Sequence, residues 1–323
     1  MPEAGMAQSL EALARRTASL QGIRSIVHTM KTLSVINSAP YEHAARAIEA
    51  YHDTVRMGLH AFLSQTGPIE PAASTPKTKV LIVFGSDHGL CGNYNETLAS
   101  HVSQQRADAL KQTRVLCVGA QMAAALQDRG LEPETTFFPP ASVDGIGRLA
   151  NLLSRHLDDM QSDEATGEMA VSLAYFTRDG DKGQRPEMMA LLPLDQDLVQ
   201  GLQVKPWESR SLPSFTMPSH ALFQALIRGH LFASLFRAAA EALVTENSAR
   251  LALMSQAEQS VDDRLEALTS ETRSVRQGEI TTELLDVIIG FEALKKTKNT
   301  PAKKPFRRPE EPQPIAAREG KEI

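Results

Sequence analysis

The segment Gly85–Asn95, GSDHGLCGNYN, gathers Ser86, Asp87, His88 and Cys91 within six residues. A thiol three residues from an imidazole could form a nucleophile with its base. A turn following a strand is also where α/β proteins commonly hold ligands. Against catalysis, no third group is in place to orient the imidazole. The turn also lacks G-x-G-x-x-G, and G-x-x-x-x-G-K-[ST] occurs nowhere in the chain. At most an anion site at the next helix's N-terminus remains. The preferred reading gives the glycines to the turn's backbone, Asp87 to a local hydrogen bond and Cys91 to a buried or partner-facing position. Cys117, the second of two cysteines, falls mid-strand and reads as core. With no C-x-x-C, a disulfide framework and a cysteine zinc site are excluded.

The nine histidines are scattered, with His28, His43, His52 and His60 near the N-terminus, and none falls in H-x-x-x-H or H-E-x-x-H. No metal and no cofactor are expected. Asp158-Asp159 and Asp262-Asp263 read as solvated helix charges. Lys295–Ile323 carries nine basic and four acidic side chains, a net +5 within a chain of −5, so the remainder stands at −10. Only Phe306 could offer a stacking platform for bases, so this tail is expected to be disordered and solvating, not a nucleic-acid arm.

These residues need elements to position them. From Ser219 to Leu294 there is no proline, and Leu222, Leu226, Leu231, Leu235, Ala239, Leu243, then Leu253, Ala257, Val261, Leu265, Leu268 and Val275, recur at mostly helical spacing. The stripe is narrow, like a coiled-coil seam. Ser219 is expected to cap the helix. Such a helix would run about 114 Å, whereas a compact globule of this length has a radius of gyration of about 20 Å. It therefore needs a partner along its length. Residues 8–64 supply one: Leu10, Leu13, Leu20, Ile23, Val27, Met30 and Leu33 form a second stripe, with Pro40 expected to kink or interrupt it. Pro68–Thr78 reads as a linker.

Between the helices, Val80–Phe84, Arg114–Val118, Met169–Phe176 and Met188–Leu192 read as strands, with helices over Asn95–Leu110, Ala120–Asp128 and Val143–Met160 and a turn-rich Arg178–Pro186. That alternation predicts a largely parallel sheet. The expected fold is a long antiparallel coiled coil of N- and C-terminal helices with a central Rossmann-like α/β domain. Its parts are a shaft helix over 8–64, an α/β foot over 78–212, a second shaft helix over 219–294 and the tail 295–323. No window resembles a membrane span or a secretory signal, so a soluble, intracellular chain is expected. Only 5% of residues are aromatic, as suits a two-helix rod with little core for large rings.

Four ordered segments, spanning roughly residues 8–294, carry a family resemblance: Ile26–Lys31 (IVHTMK), Ser86–Asn95 (SDHGLCGNYN), Thr245–Met254 (TENSARLALM) and Arg276–Leu294 (RQGEITTELLDVIIGFEAL). The chain resembles the gamma subunit of the F-type ATP synthase. The resemblance implies a non-catalytic rotor shaft that couples transmembrane flow of protons or sodium ions to ATP synthesis or hydrolysis. Its implied partners are the alpha and beta subunits of the catalytic hexamer, the epsilon subunit and the membrane c-ring. It implies a peripheral location on the cytoplasmic face of the inner (plasma) membrane. By the same resemblance Arg250, Arg276, Gln277 and Thr281 would meet beta-subunit loops. Met30, Lys31 and Glu283 would sit where the two helices and beta meet, and Val287–Phe291 would form an apolar bearing. The stretch Ser34–Ala44, SVINSAPYEHA, lacks the family's basic cluster, and with the added tail the chain resembles the divergent alternate (N-type) branch. The competing reading is a soluble α/β enzyme with a coiled-coil dimerisation arm and its site in the Gly85–Asn95 loop.

Overall fold

The computed structural model describes residues 3–67, 78–104, 113–162, 169–180, 183–207, 209–211 and 214–298. The sequence-predicted linker and most of the basic tail lie outside these residues. The elements are α1 (Glu3–Thr66), β1 (Thr78–Phe84), α2 (Tyr94–Gln104), β2 (Thr113–Val118), α3 (Ala120–Gln127), β3 (Thr135–Phe137), α4 (Asp144–Ser162), β4 (Met169–Arg178), β5 (Gln184–Leu192), α5 (Gln196–Val204) and α6 (Ser219–Lys298). The chain divides into two compact units, residues 19–265 and residues 1–18 with 266–323.

In the larger unit α1 and α6 pair antiparallel. Arg24 meets Asp262, His28 meets Glu258, and His52 meets His230. One helix advances as the other retreats. Small residues allow the closest approach: a Cβ on Gly58 would stand 2.8 Å from Leu226, and one on Gly229 3.2 Å from Val55.

Pro40 does not interrupt α1, which is helical from Glu3 to Thr66. Proline removes the bond to the Ile36 carbonyl, but Ile36 and Pro40 are both exposed, so water can serve that carbonyl. Leu13, Val27, Ser34, Tyr41, Ile48, Val55 and Phe62 are buried along α1 at a seven-residue step, with half-buried Leu20 in the gap, and Ala44, Ala45, Leu59, His60 and Leu63 widen the buried face beyond Pro40. The step passes Pro40 without a shift. It also revises the expected stripe, because Ile23 and Leu33 are about half exposed.

The sheet order is β3-β2-β1-β4-β5. The β1–β2, β1–β4 and β2–β3 pairs are parallel, and β4–β5 is an antiparallel hairpin. Alternation sorts side chains between two layers. Val80, Ile82 and Phe84 pack with α4 and α6, while Leu81 and Val83 pack with α2 and α3. Cys117 is fully buried in that second layer, as a core residue should be. Ala238, Ala239 and Ala240 are all buried; their small side chains let α6 run closely beside the sheet layer that it helps to cover.

Several sequence expectations are corrected. Helix α2 begins at Tyr94, and β5 begins at Gln184 inside the stretch read as turn. The short β3 and α5 were not foreseen; each offers too few periodic residues to register. Ser219 is the first helical residue, not the cap, because the Leu222 N–H donates to the Pro218 carbonyl.

Candidate functional site

The Gly85–Asn95 loop leaves β1 and turns into α2, and its polar groups are engaged within the chain. Asn95 Oδ1 accepts from the Ser86 N–H at 3.0 Å, and Asn95 Nδ2 donates to Ser86 Oγ at 2.8 Å. Ser86 Oγ donates to the His88 carbonyl at 2.9 Å. Asp87 Oδ1 accepts from the Ala120 N–H that opens α3. Leu90 and Gly92 take positive φ, which a glycine adopts freely and a leucine only under constraint. Gly85 lies so close to Met122 that a Cβ there would clash at 2.5 Å.

Cys91 and His88 do not form a nucleophile–base pair. Cys91 Sγ lies 3.9 Å from the His88 carbonyl and 3.4 Å from Ser86 Oγ, while the His88 ring sits 3.9 Å from Asp87 and is exposed. Burial pushes the Cys91 thiol up, away from the reactive thiolate.

The sequence-predicted contact residues fall in both units. In the larger one, Lys31 Nζ donates to Glu258 Oε2 at 2.7 Å, and His28 lies 2.9 Å from the other oxygen. These bonds from Lys31 and His28 hold the Glu258 carboxyl down at about 2. Glu258 is thus the partner of Lys31; Met30 is half-buried beside it. Arg250 is committed inside the chain, to Glu246 at 2.6 Å and to the carbonyls of His88 and Gly89 at 3.4 and 3.5 Å. In the smaller unit, Arg276, Gln277, Thr281 and Glu283 are exposed, and Thr281 Oγ1 donates to the Gln277 carbonyl. Beyond them Leu284, Leu285, Val287, Ile288, Ile289, Phe291 and Leu294 are 53–74% exposed, an apolar surface that a soluble chain ordinarily covers.

Sequence reasoning missed two features. Arg178 makes a two-pronged bond to Glu241 at 2.7 and 3.0 Å, tying the end of β4 to α6. A cavity of about 150 Å³ is lined by Ile48, His52, Met189, Leu191, His230 and Ser234, among others. In it the His52 and His230 rings approach at 3.2 Å. Neither pairing has a sequence signature, since the partners lie 63 and 178 residues apart. Among the described residues, no group of three or more histidine, cysteine or acidic side chains could hold a metal ion. No described helix is long and apolar enough to cross a membrane.

A five-stranded α/β domain packed on an antiparallel helix pair is the class of fold that residues 19–265 define. The chain belongs to the ATP synthase family, whose model matches residues 9–294. It is 26% identical over 293 residues to the ATP synthase gamma chain of Lachnoclostridium phytofermentans, covering 88% of this chain and 99% of that one. It is also 26% identical over 303 residues to the gamma chain of Mycobacterium leprae, covering 90% and 99%. Among solved structures it resembles a chain of the Euglena gracilis mitochondrial ATP synthase OSCP/F1/c-ring assembly. The TM-score is 0.63 at 15% identity, covering 94% of this chain and all of that one. That last likeness speaks for the fold.

Proposed function

We propose that this chain is the central rotor-stalk (gamma) subunit of a rotary F-type ATP synthase, coupling transmembrane ion flow to ATP synthesis or hydrolysis. The observation that carries the reading is the helix pair. Its register is held by Arg24–Asp262 and Lys31–Glu258 and by the seven-residue seam of α1, as a shaft under torsion requires. The subunit is non-catalytic; catalysis belongs to the alpha–beta hexamer around it. The foot stands with epsilon on the membrane c-ring, at the cytoplasmic face of the inner membrane, peripheral to the bilayer.

Within this reading Arg276, Gln277 and Thr281 offer side chains to beta-subunit loops, Met30, Lys31 and Glu283 mark the place where the two helices and beta meet, and Val287–Phe291 turns as an apolar bearing. Exposure of Arg276, Gln277, Thr281 and Glu283 supports their assignment. The alternate (N-type) branch accounts for the missing basic cluster in Ser34–Ala44. The enzyme reading fares worse, because the Cys91 thiol and the His88 ring on which it relies do not meet: Cys91 faces Ser86 and the His88 carbonyl while the ring points to solvent. Expression with the neighbouring operon products decides between them. The chain is expected to co-purify with a hexameric ATPase and to be inactive alone; a chain that never joins such a complex, or that turns over a substrate by itself, ends the rotor reading.

A further inference from the structure

Two of the four segments that carry the family resemblance are far apart in the chain. One is the Gly85–Asn95 loop and the other is the Thr245–Met254 stretch of α6. The structure joins them. Arg250 reaches the carbonyls of His88 and Gly89 in the loop while holding Glu246 one turn back on its own helix. Thr245 bonds the Tyr94 hydroxyl, which also donates to the Ala242 carbonyl, each at 3.0 Å. Tyr94 is 2% exposed and stacks on Phe176 of β4 at a centroid distance of 4.5 Å.

We infer that Arg250, Glu246, Thr245 and Tyr94 form an intramolecular latch that fixes the Gly85–Asn95 loop to α6, making Arg250 a positioning residue within the rotor instead of a contact to its stator. The inference rests on the rotor reading and adds to it the path by which force passes from the sheet to the shaft. Three physical points support it.

The first is burial. The Arg250 and Glu246 side chains are only 12% and 9% exposed, and a charge so enclosed is held by partners, because taking it from water is costly. Burial pushes the Glu246 carboxyl up, with Arg250 opposing that shift. The second is geometry. One nitrogen, Arg250 Nη2, faces the Glu246 carboxylate and both loop carbonyls from the end of a side chain one bond longer than a lysine's, so a lysine that keeps the pair with Glu246 falls short of the loop. The third is attachment at the other side of the loop. Asp87 accepts from the Ala120 N–H and the Ser86 carbonyl accepts from the Met122 N–H, so the loop is pinned to α3 and, through β1, to the centre of the sheet. Gly119, at φ 105°, has no room for a Cβ against the Ser86 backbone, so that approach tolerates only glycine. A loop pinned on one side by the sheet and on the other by α6 transmits load; a loop free on either side would yield.

The test uses the assembled complex with Arg250→Ala and Arg250→Lys, and reads ATP hydrolysis, ions pumped per ATP and hydrogen exchange of the Gly89–Gly92 amides. Wild type is the control for the rotor reading: if it assembles but hydrolysis drives no pumping, that reading fails and the latch with it. With coupling established, Arg250→Ala is expected to keep hydrolysis within about twofold, lower ions pumped per ATP at least threefold and speed loop exchange at least tenfold. Arg250→Lys retains the pair with Glu246 and should keep the melting temperature of wild type, so a loss of coupling there cannot be ascribed to unfolding. Pumping per ATP unchanged in both variants, or loop exchange unchanged in Arg250→Ala, overturns the latch.

Discussion

His230 shows how position sets the charge of a single residue. It is 8% exposed and faces His52. Burial, with His52 and Arg56 adding to it, pushes its pKa down to about 4. His52 is lowered as well, by burial and by Arg56 and Arg237, with Asp53 opposing. A base whose pKa is lower folded than unfolded takes up its proton more readily when unfolded. Its neutral form therefore costs nothing above about pH 6.5, and stability falls as pH drops from 6.5 toward 4. The shift of His230 corresponds to about 3 kcal/mol when fully expressed. His230→Leu is expected to flatten the dependence of denaturant midpoint on pH between 6.5 and 4, and an unchanged slope would show that the two rings do not hold the neutral pair. Glu258 works in the same sense, losing stability on acidification, but in a lower window. Its carboxyl is depressed by Lys31 and His28, so its contribution is present above about pH 4.5 and fades as pH falls toward 2. The two effects can be read separately from one titration.

At the scale of elements, α1 sets a seven-residue seam against a residue that should break it. Proline inside a helix loses one hydrogen bond and crowds the preceding turn, a cost of about 3 kcal/mol in a regular helix. Pro40 lies exposed and the heptad burial crosses it in phase, so the helix absorbs this cost without changing its packing. Pro40→Ala should raise the melting temperature, by the equivalent of about 1–3 kcal/mol, and thermal unfolding of the full chain measures it. An unchanged or lower value would mean that the helix bends at this position and that proline suits the bend.

The same elements show what was legible in the sequence. The two long helices were plain, because tens of residues repeat one period, and four of the five strands were plain as apolar runs. The seam itself was misread at Ile23 and Leu33: an apolar residue at helical spacing shows which positions could be buried, but the partner's surface decides which are. Ser34 makes the point from the other side, a serine 2% exposed whose hydroxyl is satisfied by the Met30 carbonyl one turn back. At the candidate site both motifs were visible while their meeting was not. The Arg250 bonds to the loop span more than 160 residues, and no local pattern encodes a contact made only when the fold closes.

At the scale of the whole molecule, the surface at the end of α6 is what the chain cannot explain by itself. Ile280, Leu284, Val287, Phe291 and Leu294 follow steps of four and three, and all are more than half exposed. That is an apolar stripe of the kind buried in helix pairs, left bare along with Leu285, Ile288 and Ile289. Bare apolar surface of this extent marks a contact, and a shaft turning in a sleeve wants a contact without directional bonds, since each hydrogen bond or ion pair would favour one angle over the others. The prediction turns on the difference between removing apolar area and adding charge. Ile288→Ser with Phe291→Ser leaves the end small and uncharged, and ATP-driven rotation of the assembled complex should stay within about twofold of wild type. Ile288→Lys with Phe291→Glu places groups that must lose water or hold one angle, and rotation should slow about tenfold while assembly persists. Single-molecule rotation measures both, and equal speeds for the serine and charged pairs would show that this end of α6 does not turn in a dry, apolar sleeve.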